Sequence, residues 1–412
     1  MSLFPLATDL PMESGGPAER ALRQLRRVTS SSTATPSAVV DLDRIADGVG
    51  LAREAHSRIV VTYAMKASYH RPVLDAVRAT GAGVSAFSEL EMDLARTAGF
   101  ASSDIVYNGV GRDGAALAAA VDAGVTVNLE SLAELHGLLH ARGAGSPPGR
   151  IGFRVNSSVL GGSDALGKYG VLGLPVDHLL TVADTLRGSS LVLGGISFHH
   201  FANRLNGADH LDALERLLPE LAPLSGHPAV ALDYIDVGGG WASRMEMDDE
   251  NATETFLALA GRIDAAFDCT TILELGRFLV ADAEALLSRV VDVRADGSTV
   301  VAILDATTNY LIPAPGHRFR VERLEPLAGG ETRTPVRFVD RMGSTICENA
   351  CGSLRPGALV GVLNAGAYAG VMKEHFVYPL PDTSYVRDDM VVAISPADGE
   401  EAVRAHHHWS ER

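Results

Sequence analysis

The sequence predicts an α/β fold, with an N-terminal (β/α)8 barrel followed by a smaller, mainly β domain. Eight short, apolar, β-prone runs alternate with stretches of helical periodicity over about 240 residues, which is typical of parallel strands joined by right-handed crossovers. After about residue 285 helical stretches become scarce, and strand-like runs follow one another across turns. A doubly wound open sheet has the same strand–helix alternation and remains the alternative to a closed barrel.

Three segments follow from this pattern in chain order. Residues 1–36 are rich in Pro, Ser, Thr and Ala, and we expect a partly mobile segment with one short helix near Pro17–Val28. Residues 37–285 form the predicted barrel domain, and residues 286–412 form the predicted β domain. The run SAVVDL, residues 37–42, is expected to join the β domain because the barrel does not need it.

Each predicted barrel strand is an apolar run separated from the next by a stretch with helical periodicity. The eight runs are residues 60–66, 83–87, 104–109, 125–131, 150–156, 193–201, 231–240 and 270–278. In the β domain, the predicted strands lie in LLSRVVDVRADGSTVVAIL, PVRFVDRM, GALVGVLNAGAY and MVVAISPA.

The bulk composition is that of a globular protein, with 46% hydrophobic and 21% charged residues among 412. A net charge of −16 argues against a nucleic-acid surface, which needs clustered Lys and Arg. The N-terminus lacks a basic region followed by an apolar core, and no apolar run approaches the roughly 20 residues that span a bilayer. The odd number of cysteines, three, favours a reducing compartment. We therefore expect a cytoplasmic protein with neither a membrane nor a nucleic-acid partner.

Polar residues and glycines close most of the predicted barrel strands. Barrel enzymes carry their chemistry at these carboxyl ends, so Lys66, His199 and Glu274 are expected at one mouth. The three glycines Gly238–Gly240 allow close approach of the backbone, and their N–H groups can cradle an anion. Arg277 could bind the same phosphate in a bidentate manner. The other strand-end polar residues are Ser88, Asn108 and Asn156.

An anion cradle, a lysine, a carboxylate and a histidine at one mouth match the needs of one cofactor, pyridoxal 5′-phosphate (PLP). PLP requires a lysine for its aldehyde, a phosphate site, and a carboxylate that keeps the pyridine nitrogen protonated as an electron sink. His199 is suited to stack on the ring face. We therefore predict PLP as the cofactor and no metal site.

The motifs that carry these residues resemble those of the fold-type III PLP-dependent decarboxylases, the ornithine/diaminopimelate/arginine decarboxylase family. The match extends from VVDLDRI to GAYAGVM. YAMKAS is similar to Y-A-x-K-A-N, which implies that Lys66 is the catalytic Schiff-base lysine. GISFHHFANR is similar to G-x-x-F-H-x-G-S, which implies that His199 stacks on the ring. The implied fold is the barrel-plus-β architecture of alanine racemase and ornithine decarboxylase.

Two further motifs concern the phosphate and the pyridine nitrogen. DVGGGW resembles the family's phosphate-binding glycine strand, formed here by Gly238, Gly239 and Gly240. ILELGRFLV resembles I-x-E-P-G-R, which implies that Glu274 binds the pyridinium nitrogen. By the same motif, Gly276 and Arg277 are cofactor-binding residues near the phosphate.

The C-terminal motifs imply a homodimer with shared active sites. ICENACGSL is similar to C-[DE]-S-x-D, and NAGAY to the G-A-Y that follows it. Cys347 would enter across the interface and reprotonate the substrate carbon after CO2 leaves, and Glu348 would contact a substrate amine. Tyr368 would help to hold the phosphate. LGKYG, residues 166–170, matches the family's S-K-F-G loop apart from its serine.

Several departures from the family pattern concern the substrate. Cys351 occupies the place of an aspartate that reads the distal end of the substrate in diamine-forming members. NYLIPAPGHRFRV lacks the arginine that binds the distal carboxylate of diaminopimelate. These losses argue against lysine, ornithine and diaminopimelate as substrates. The remaining departures are Ala202 for the phosphate-binding serine, Leu275 for proline and Ser68 for asparagine.

The predicted function is PLP-dependent decarboxylation of an L-amino acid or amino-acid derivative. The F-x-x-x-P-x-P ending is closer to a subgroup that acts on siderophore precursors or on carrier-linked aminoacyl groups, which suggests specialised biosynthesis. A PLP-dependent racemase is one alternative, but such racemases place an arginine on the pyridine nitrogen, where Glu274 stands here. The second alternative is a homologue that binds PLP without catalysis. Single-domain homologues of this kind lack a second β domain, which this sequence is predicted to have. A catalytically inactive homologue with two domains would be expected to lose the lysine, whereas Lys66 is present.

Overall fold

A computed structural model describes residues 16–29, 34–143, 145–160, 171–296, 299–312, 314, 316–327, 330–399, 401 and 404. The loop 166–170 lies outside the described residues, as does most of the predicted N-terminal segment. The chain divides into two compact units. We call residues Ala46–Ala242 and Met247–Gly276 the barrel unit, and the rest of the described chain the β unit. Within the described ranges, no helix has the length and apolarity needed to cross a membrane.

The chain enters through two elements of the β unit. Helix α1 covers Pro17–Thr29, where the sequence predicts a short helix, and buries Leu22 and Leu25. Strand β1 (Ser37–Asp41) follows and belongs to the sheet of the β unit. Helix α2 (Leu42–Ala55) then leads to the first barrel strand.

Eight parallel strands form the closed barrel of the barrel unit. The last strand pairs with the first, with Thr62 opposite Glu274, so the prediction of a closed barrel is confirmed and the open-sheet alternative is wrong. The strands are β2 (Ile59–Ala64), β3 (Gly83–Ala86), β4 (Ile105–Tyr107), β5 (Thr126–Leu129), β6 (Gly149–Val155), β7 (Leu191–Phe198), β8 (Val230–Asp236) and β9 (Thr270–Leu275).

Helices of the barrel unit follow its strands, and several of them begin at polar caps. At four of them a Ser or Asp side chain accepts a hydrogen bond from a backbone N–H of the first turn, which satisfies one of the donors that a helix start leaves unpaired. The capping residues are Ser88, Asp113, Ser131 and Asp248. The helices are α3 (Arg71–Ala79), α4 (Glu89–Thr97), α5 (Gly114–Asp122), α6 (Leu132–Arg142), α7 (Leu179–Leu186), α8 (Ala208–Leu221) and α9 (Asp249–Phe267).

The β unit is built on one mixed sheet of nine strands. Its elements are α10 (Arg277–Val280), β10 (Glu284–Asp296), β11 (Thr299–Leu304), β12 (Arg320–Arg323), β13 (Thr334–Val339), β14 (Thr345–Cys351), β15 (Leu359–Leu363), α11 (Ala369–Met372), β16 (Asp382–Arg387) and β17 (Met390–Ser395). The main path of the sheet runs β14-β13-β11-β10-β1-β16-β17, and β15 pairs with both β10 and β12. Buried side chains such as Leu286, Phe338 and Val362 form its core.

Candidate active site

Lys66 lies at the carboxyl end of β2, in a 3-10 turn formed by Met65–Ala67. The hydroxyl of Tyr63 donates a 2.7 Å hydrogen bond to the carbonyl of Ser68, which ties the strand to the end of this turn. The Lys66 Nζ atom lies 5.0 Å from the centroid of the Phe87 ring, within the range of a cation–π contact. The amine is therefore at the end of the barrel where strand ends carry chemistry.

Phe87 is held by the cap of α4. The Ser88 hydroxyl accepts from the N–H of Glu91, and the Glu91 carboxylate accepts a 2.6 Å hydrogen bond from the N–H of Phe87. Burial raises the pKa of Glu91, and the charge of Lys66 opposes this shift. Ser88 therefore acts as a helix cap, which explains a polar residue at the end of β3 without any role in chemistry.

Glu274 lies on β9 inside the barrel and is almost fully buried. Its Oε1 atom accepts hydrogen bonds from the Ser85 hydroxyl at 2.6 Å and from the Asn108 side-chain amide at 2.5 Å. The same amide lies 3.1 Å from the Ser85 Oγ. Within the described residues, no hydrogen bond to Oε2 is recorded. One oxygen of this carboxylate is thus occupied, and the other is open to a further donor.

A second buried carboxyl group, Asp236, lies on β8 and is linked to Glu274 by two amides. Asn128 donates to the Asn108 Oδ1 at 3.0 Å and to the Asp236 Oδ2 at 3.1 Å. The Asp236 Oδ1 accepts a 2.9 Å hydrogen bond from the N–H of Gly238. Burial raises the pKa of Asp236 well above its usual range, and the nearby charge of Glu274 raises it further. Asp236 therefore keeps its proton to a higher pH than an exposed aspartate does.

Tyr234 crosses the barrel interior to reach this network. Its hydroxyl donates a 2.7 Å hydrogen bond to the Asn128 Oδ1. Two strand glycines make room for the ring, because a Cβ at Gly195 would lie 2.0 Å from the Tyr234 Cζ and one at Gly152 would lie 2.2 Å from the Tyr234 oxygen. Burial is also the main reason why the pKa of Tyr234 is raised.

His199 follows β7 and is held by contacts on its ring and its backbone. Its Nδ1 accepts a 3.0 Å hydrogen bond from the N–H of Gly239, and its carbonyl accepts one of 3.0 Å from the Arg154 guanidinium. Burial lowers the pKa of His199 well below its usual range, and the charges of Lys66 and Arg154 act in the same direction. The ring is therefore neutral, and because Nδ1 is an acceptor its proton must lie on Nε2.

Arg154 is itself fixed by a buried ion pair. Its guanidinium lies 3.1 Å from the Glu130 carboxylate, and both side chains are almost fully buried. Burial raises the pKa of Glu130, and the charge of Arg154 opposes this shift.

Asn156 directly follows strand β6 and is the remaining strand-end polar residue named from the sequence. Its side-chain oxygen accepts a 3.1 Å hydrogen bond from the N–H of Ser158. It therefore forms a local turn.

The glycine segment after β8 approaches other backbone closely. A Cβ at Gly238 would lie 2.6 Å from the Phe198 carbonyl oxygen, and Gly240 has a φ of +94°. The N–H groups of Gly238 and Gly239 already have acceptors in Asp236 and His199. In the described chain no acceptor is recorded for the N–H groups of Gly240 and Gly276. These two amides fit a phosphate group, which needs donors that the protein has not used.

Arg277 and Tyr368 lie together in the β unit. The guanidinium carbon of Arg277 is 5.4 Å from the centroid of the Tyr368 ring. Tyr368 has a φ of +71°, a left-handed conformation that is uncommon for a non-glycine residue. The preceding loop packs closely, because a Cβ at Gly366 would lie 1.8 Å from the Val280 carbonyl oxygen. The strained backbone of Tyr368 thus sets its ring beside Arg277.

Strand β14 carries the three remaining predicted site residues. Cys347 lies 3.4 Å from the side-chain oxygen of Asn349, and burial raises the pKa of its thiol. Glu348 forms an ion pair with Arg337, with 2.5 Å between Oε1 and Nε. Cys351 is fully buried, and burial likewise raises the pKa of its thiol.

The sequence-predicted residues fall into two sets. Within the barrel unit, the charge of Lys66 lowers the pKa of His199, and the His199 ring accepts a hydrogen bond from the N–H of Gly239. The N–H of Glu274 donates a 3.0 Å hydrogen bond to the carbonyl of Gly238. The β unit contains Arg277, Tyr368 and the residues of β14. Sequence reasoning missed Ser85, Asn128, Glu130, Arg154 and Asp236. The signal that could have found them is a polar residue inside or just after each apolar strand run.

Comparisons with known proteins identify the family of this chain. Residues 42–281 match the family model described as the pyridoxal-binding domain of pyridoxal-dependent decarboxylases. A diaminopimelate decarboxylase of Bacteroides thetaiotaomicron is 27% identical over 353 residues, which cover 80% of this chain and 89% of the relative. A diaminopimelate decarboxylase of Methanothermobacter thermautotrophicus is 28% identical over 393 residues, covering 87% and 88% of the two chains.

Solved structures share the fold. Diaminopimelate decarboxylase from Helicobacter pylori, complexed with L-lysine, has a TM-score of 0.79 at 20% identity and covers 93% of this chain and 99% of its own. Lysine decarboxylase from Selenomonas ruminantium has a TM-score of 0.73 at 20% identity and covers 97% of this chain and 100% of its own.

The fold and the site define a barrel enzyme of the PLP-dependent class with an additional β domain. The family model matches more than half of the sequence, and the chain therefore belongs to the pyridoxal-dependent decarboxylases. It is an amino-acid decarboxylase that uses PLP, as predicted.

Proposed function

We propose that this decarboxylase holds PLP at the carboxyl ends of the barrel strands. When bound, PLP supplies an electron sink for the electrons of the Cα–carboxylate bond that breaks. Lys66 provides the amine for the cofactor aldehyde, and Glu274 provides Oε2 for the ring nitrogen. The proposed cofactor-binding residues are Lys66, His199, Gly238, Gly239, Gly240, Glu274, Gly276, Arg277 and Tyr368.

The protonation states of the site residues support this assignment. A neutral His199 with its proton on Nε2 can lie against the ring without adding a positive charge that would oppose a protonated pyridine nitrogen. The thiol of Cys347 keeps its proton at neutral pH because burial raises its pKa. A protonated thiol is what a proton donor to Cα requires. We therefore assign Cys347 as the group that delivers the proton after CO2 has left.

We also propose a homodimer in which Cys347 and Glu348 of one subunit complete the site of the other, while Tyr368 stays beside Arg277 of its own chain. The support is the resemblance of ICENACGSL to the family motif that does so. The geometry of β14 adds to this, because neither Cys347 nor Glu348 is fully buried within the chain.

For the substrate, we propose an amino acid without a free distal ammonium group, such as an acylated or carrier-linked form, in a specialised pathway. The observation that carries this is the ion pair between Glu348 and Arg337, because it neutralises the carboxylate that would contact a substrate amine. Cys351, fully buried as a neutral thiol, does not supply a second charge. Glu322, another carboxylate of this region, is also paired, with Arg320 and Arg333.

The test measures CO2 release from PLP-loaded protein across a panel of L-amino acids. The panel contains free diamino acids, acidic amino acids, and acylated and carrier-linked forms. We expect release from the acylated or carrier-linked class and none from Lys66→Ala, while Lys373→Ala, the matched control at another described lysine, retains activity. Release from free diamino acids alone would contradict the substrate proposal but leave the cofactor assignment intact.

Attachment of the cofactor is tested separately. Reduction of the loaded protein with borohydride followed by peptide mass analysis should find the cofactor on the Lys66 peptide. Cofactor on Lys373 instead would contradict the assignment of Lys66.

A further inference from the structure

Two neutral residues deep in the barrel, Ser85 and Asn108, surround one oxygen of Glu274. Both donate to Oε1, at 2.6 Å and 2.5 Å, although the carboxylate has two equivalent oxygens. Both are buried, on or directly after neighbouring strands β3 and β4. Two donors on the same atom fix the rotation of the carboxylate plane, so Oε2 can point in one direction only.

The donors are held from behind by the rest of the network. Asn128 donates to the Asn108 Oδ1 at 3.0 Å, which orients the Asn108 amide so that its NH2 group faces Glu274. Asn128 is itself oriented by the Tyr234 hydroxyl at 2.7 Å. A chain of hydrogen bonds therefore fixes the orientation of both amides before any ligand binds. This is expected of a preorganised binding site.

Neither donor brings a positive charge to Glu274. Two other buried carboxylates of the barrel unit, Glu134 and Glu130, are neutralised by arginines at 3.0 Å and 3.1 Å. In the described part of the chain no ion pair to Glu274 is recorded. A buried carboxylate with neutral donors and no cation is costly unless a cationic ligand completes it. A protonated pyridine nitrogen is such a ligand.

We propose that Ser85 and Asn108 are positioning residues that bind the Glu274 Oε1 and thereby aim its Oε2 at the ring nitrogen of PLP. This rests on the proposed role of Glu274. Both residues use their donors on Glu274, so their proposed action on the cofactor is through that carboxylate. Their expected effect is on affinity: they increase the preference of the site for PLP over an analogue whose ring lacks the nitrogen.

The experiment compares two probes, PLP and its deaza analogue, in which a C–H group replaces the ring nitrogen. The ratio of their dissociation constants reports the interaction at the ring nitrogen and requires no turnover. We expect wild type to prefer PLP, and Ser85→Ala and Asn108→Ala each to reduce this preference by about 10- to 100-fold, the usual worth of a hydrogen bond to a charged group. Ser85→Thr, which keeps the hydroxyl, should restore it.

Thr62→Val is the matched control. Thr62 is buried on β2 directly opposite Glu274, and its hydroxyl donates to the Leu273 carbonyl at 3.3 Å. The substitution removes a buried hydroxyl at the same level of the barrel but no hydrogen bond to the Glu274 carboxylate. The ratio of the two dissociation constants should therefore stay at the wild-type value. A double-mutant cycle adds a second criterion, because Ser85→Ala should have no further effect on the ratio in a Glu274→Gln background.

The outcomes separate this proposal from the proposed function. If Glu274→Gln loses the preference but Ser85→Ala and Asn108→Ala keep it, Glu274 acts on the ring nitrogen without these residues, and the positioning role is overturned. If wild type and Glu274→Gln both lack the preference, the role of Glu274 fails and this inference fails with it. Ser85→Ala removes a single oxygen atom, so the test stands even if Asn108→Ala does not fold.

Discussion

The Arg337 Nε lies 2.5 Å from the Glu348 Oε1, so the carboxylate next to Cys347 already has a cation as its partner. Both side chains are about one-third exposed, at 37% and 32%, so the pair is accessible to a substrate yet formed without one. A surface pair of this kind contributes little stability, on the order of 0–1 kcal/mol. Its importance therefore lies in which substrates Glu348 can accept.

Removing the cation should widen the substrate range. In Arg337→Met the Glu348 carboxylate is released, and we expect kcat/KM for free L-lysine or L-ornithine to rise several-fold relative to wild type. Arg294→Met, which breaks the exposed pair with Asp292 in the same unit, serves as control and should leave kcat/KM unchanged. Equal kcat/KM values for these diamino acids in Arg337→Met and wild type would show that Arg337 does not restrict the substrate.

The proposed sharing of active sites predicts complementation between two inactive variants. The two variants are Lys66→Ala and Cys347→Ala, and each removes a residue that a different subunit contributes to the same site. If each homodimer site takes Lys66 from one subunit and Cys347 from the other, mixed dimers contain one intact site. Random mixing in equal amounts should then restore amine formation, the product that requires the protonation by Cys347, to about a quarter of the wild-type rate. Activity that stays at the level of the separate variants after subunit exchange would mean that each chain builds its own site.

The alternation of apolar runs and helical stretches predicted the barrel well. The run 83–87, for example, agrees with β3 at Gly83–Ala86, because an apolar strand bounded by helices is visible in a single sequence. Strands β12, β14 and β16 were not predicted. They read RVER, TICENAC and DTSYVR, and polar residues on both faces hide the period of two.

The site was predicted only where a residue closes a strand. Lys66, His199 and Glu274 end or follow apolar runs, and their motifs resemble a family. Asp236 also ends a strand and Asn128 lies within one, so their positions are visible in the sequence. Their contact is not, because it joins β5 and β8 across the barrel, 108 positions apart in the chain. Only closure of the barrel brings those side chains together.

His210 should make the protein sensitive to acid. Its ring stacks on Trp241 with 3.7 Å between centroids, and burial lowers the pKa of His210 from 6.5 to about 4. In the unfolded chain His210 binds a proton near pH 6.5, whereas in the folded chain it binds one only near pH 4. The free energy of unfolding therefore falls as the pH drops from 6.5 to 4. We expect the melting temperature of His210→Gln to fall less steeply than that of wild type between pH 6.5 and pH 4. The exposed His140→Gln is the control and should follow wild type.

Glu284 should have the opposite effect at neutral pH. It is buried in the β unit, accepts a 2.6 Å hydrogen bond from the Tyr310 hydroxyl, and burial raises its pKa from 4.5 to about 7. Between these values the unfolded chain loses a proton that the folded chain keeps, so stability falls as pH rises, by about 3 kcal/mol in total. Glu284→Gln removes the titrating group and keeps its size. Its melting temperature should exceed that of wild type at pH 8 and approach it at pH 5, while the exposed Glu325→Gln should follow wild type at both. A Glu284→Gln protein that melts below wild type at pH 8 would mean that the carboxylate is stabilised in the folded state.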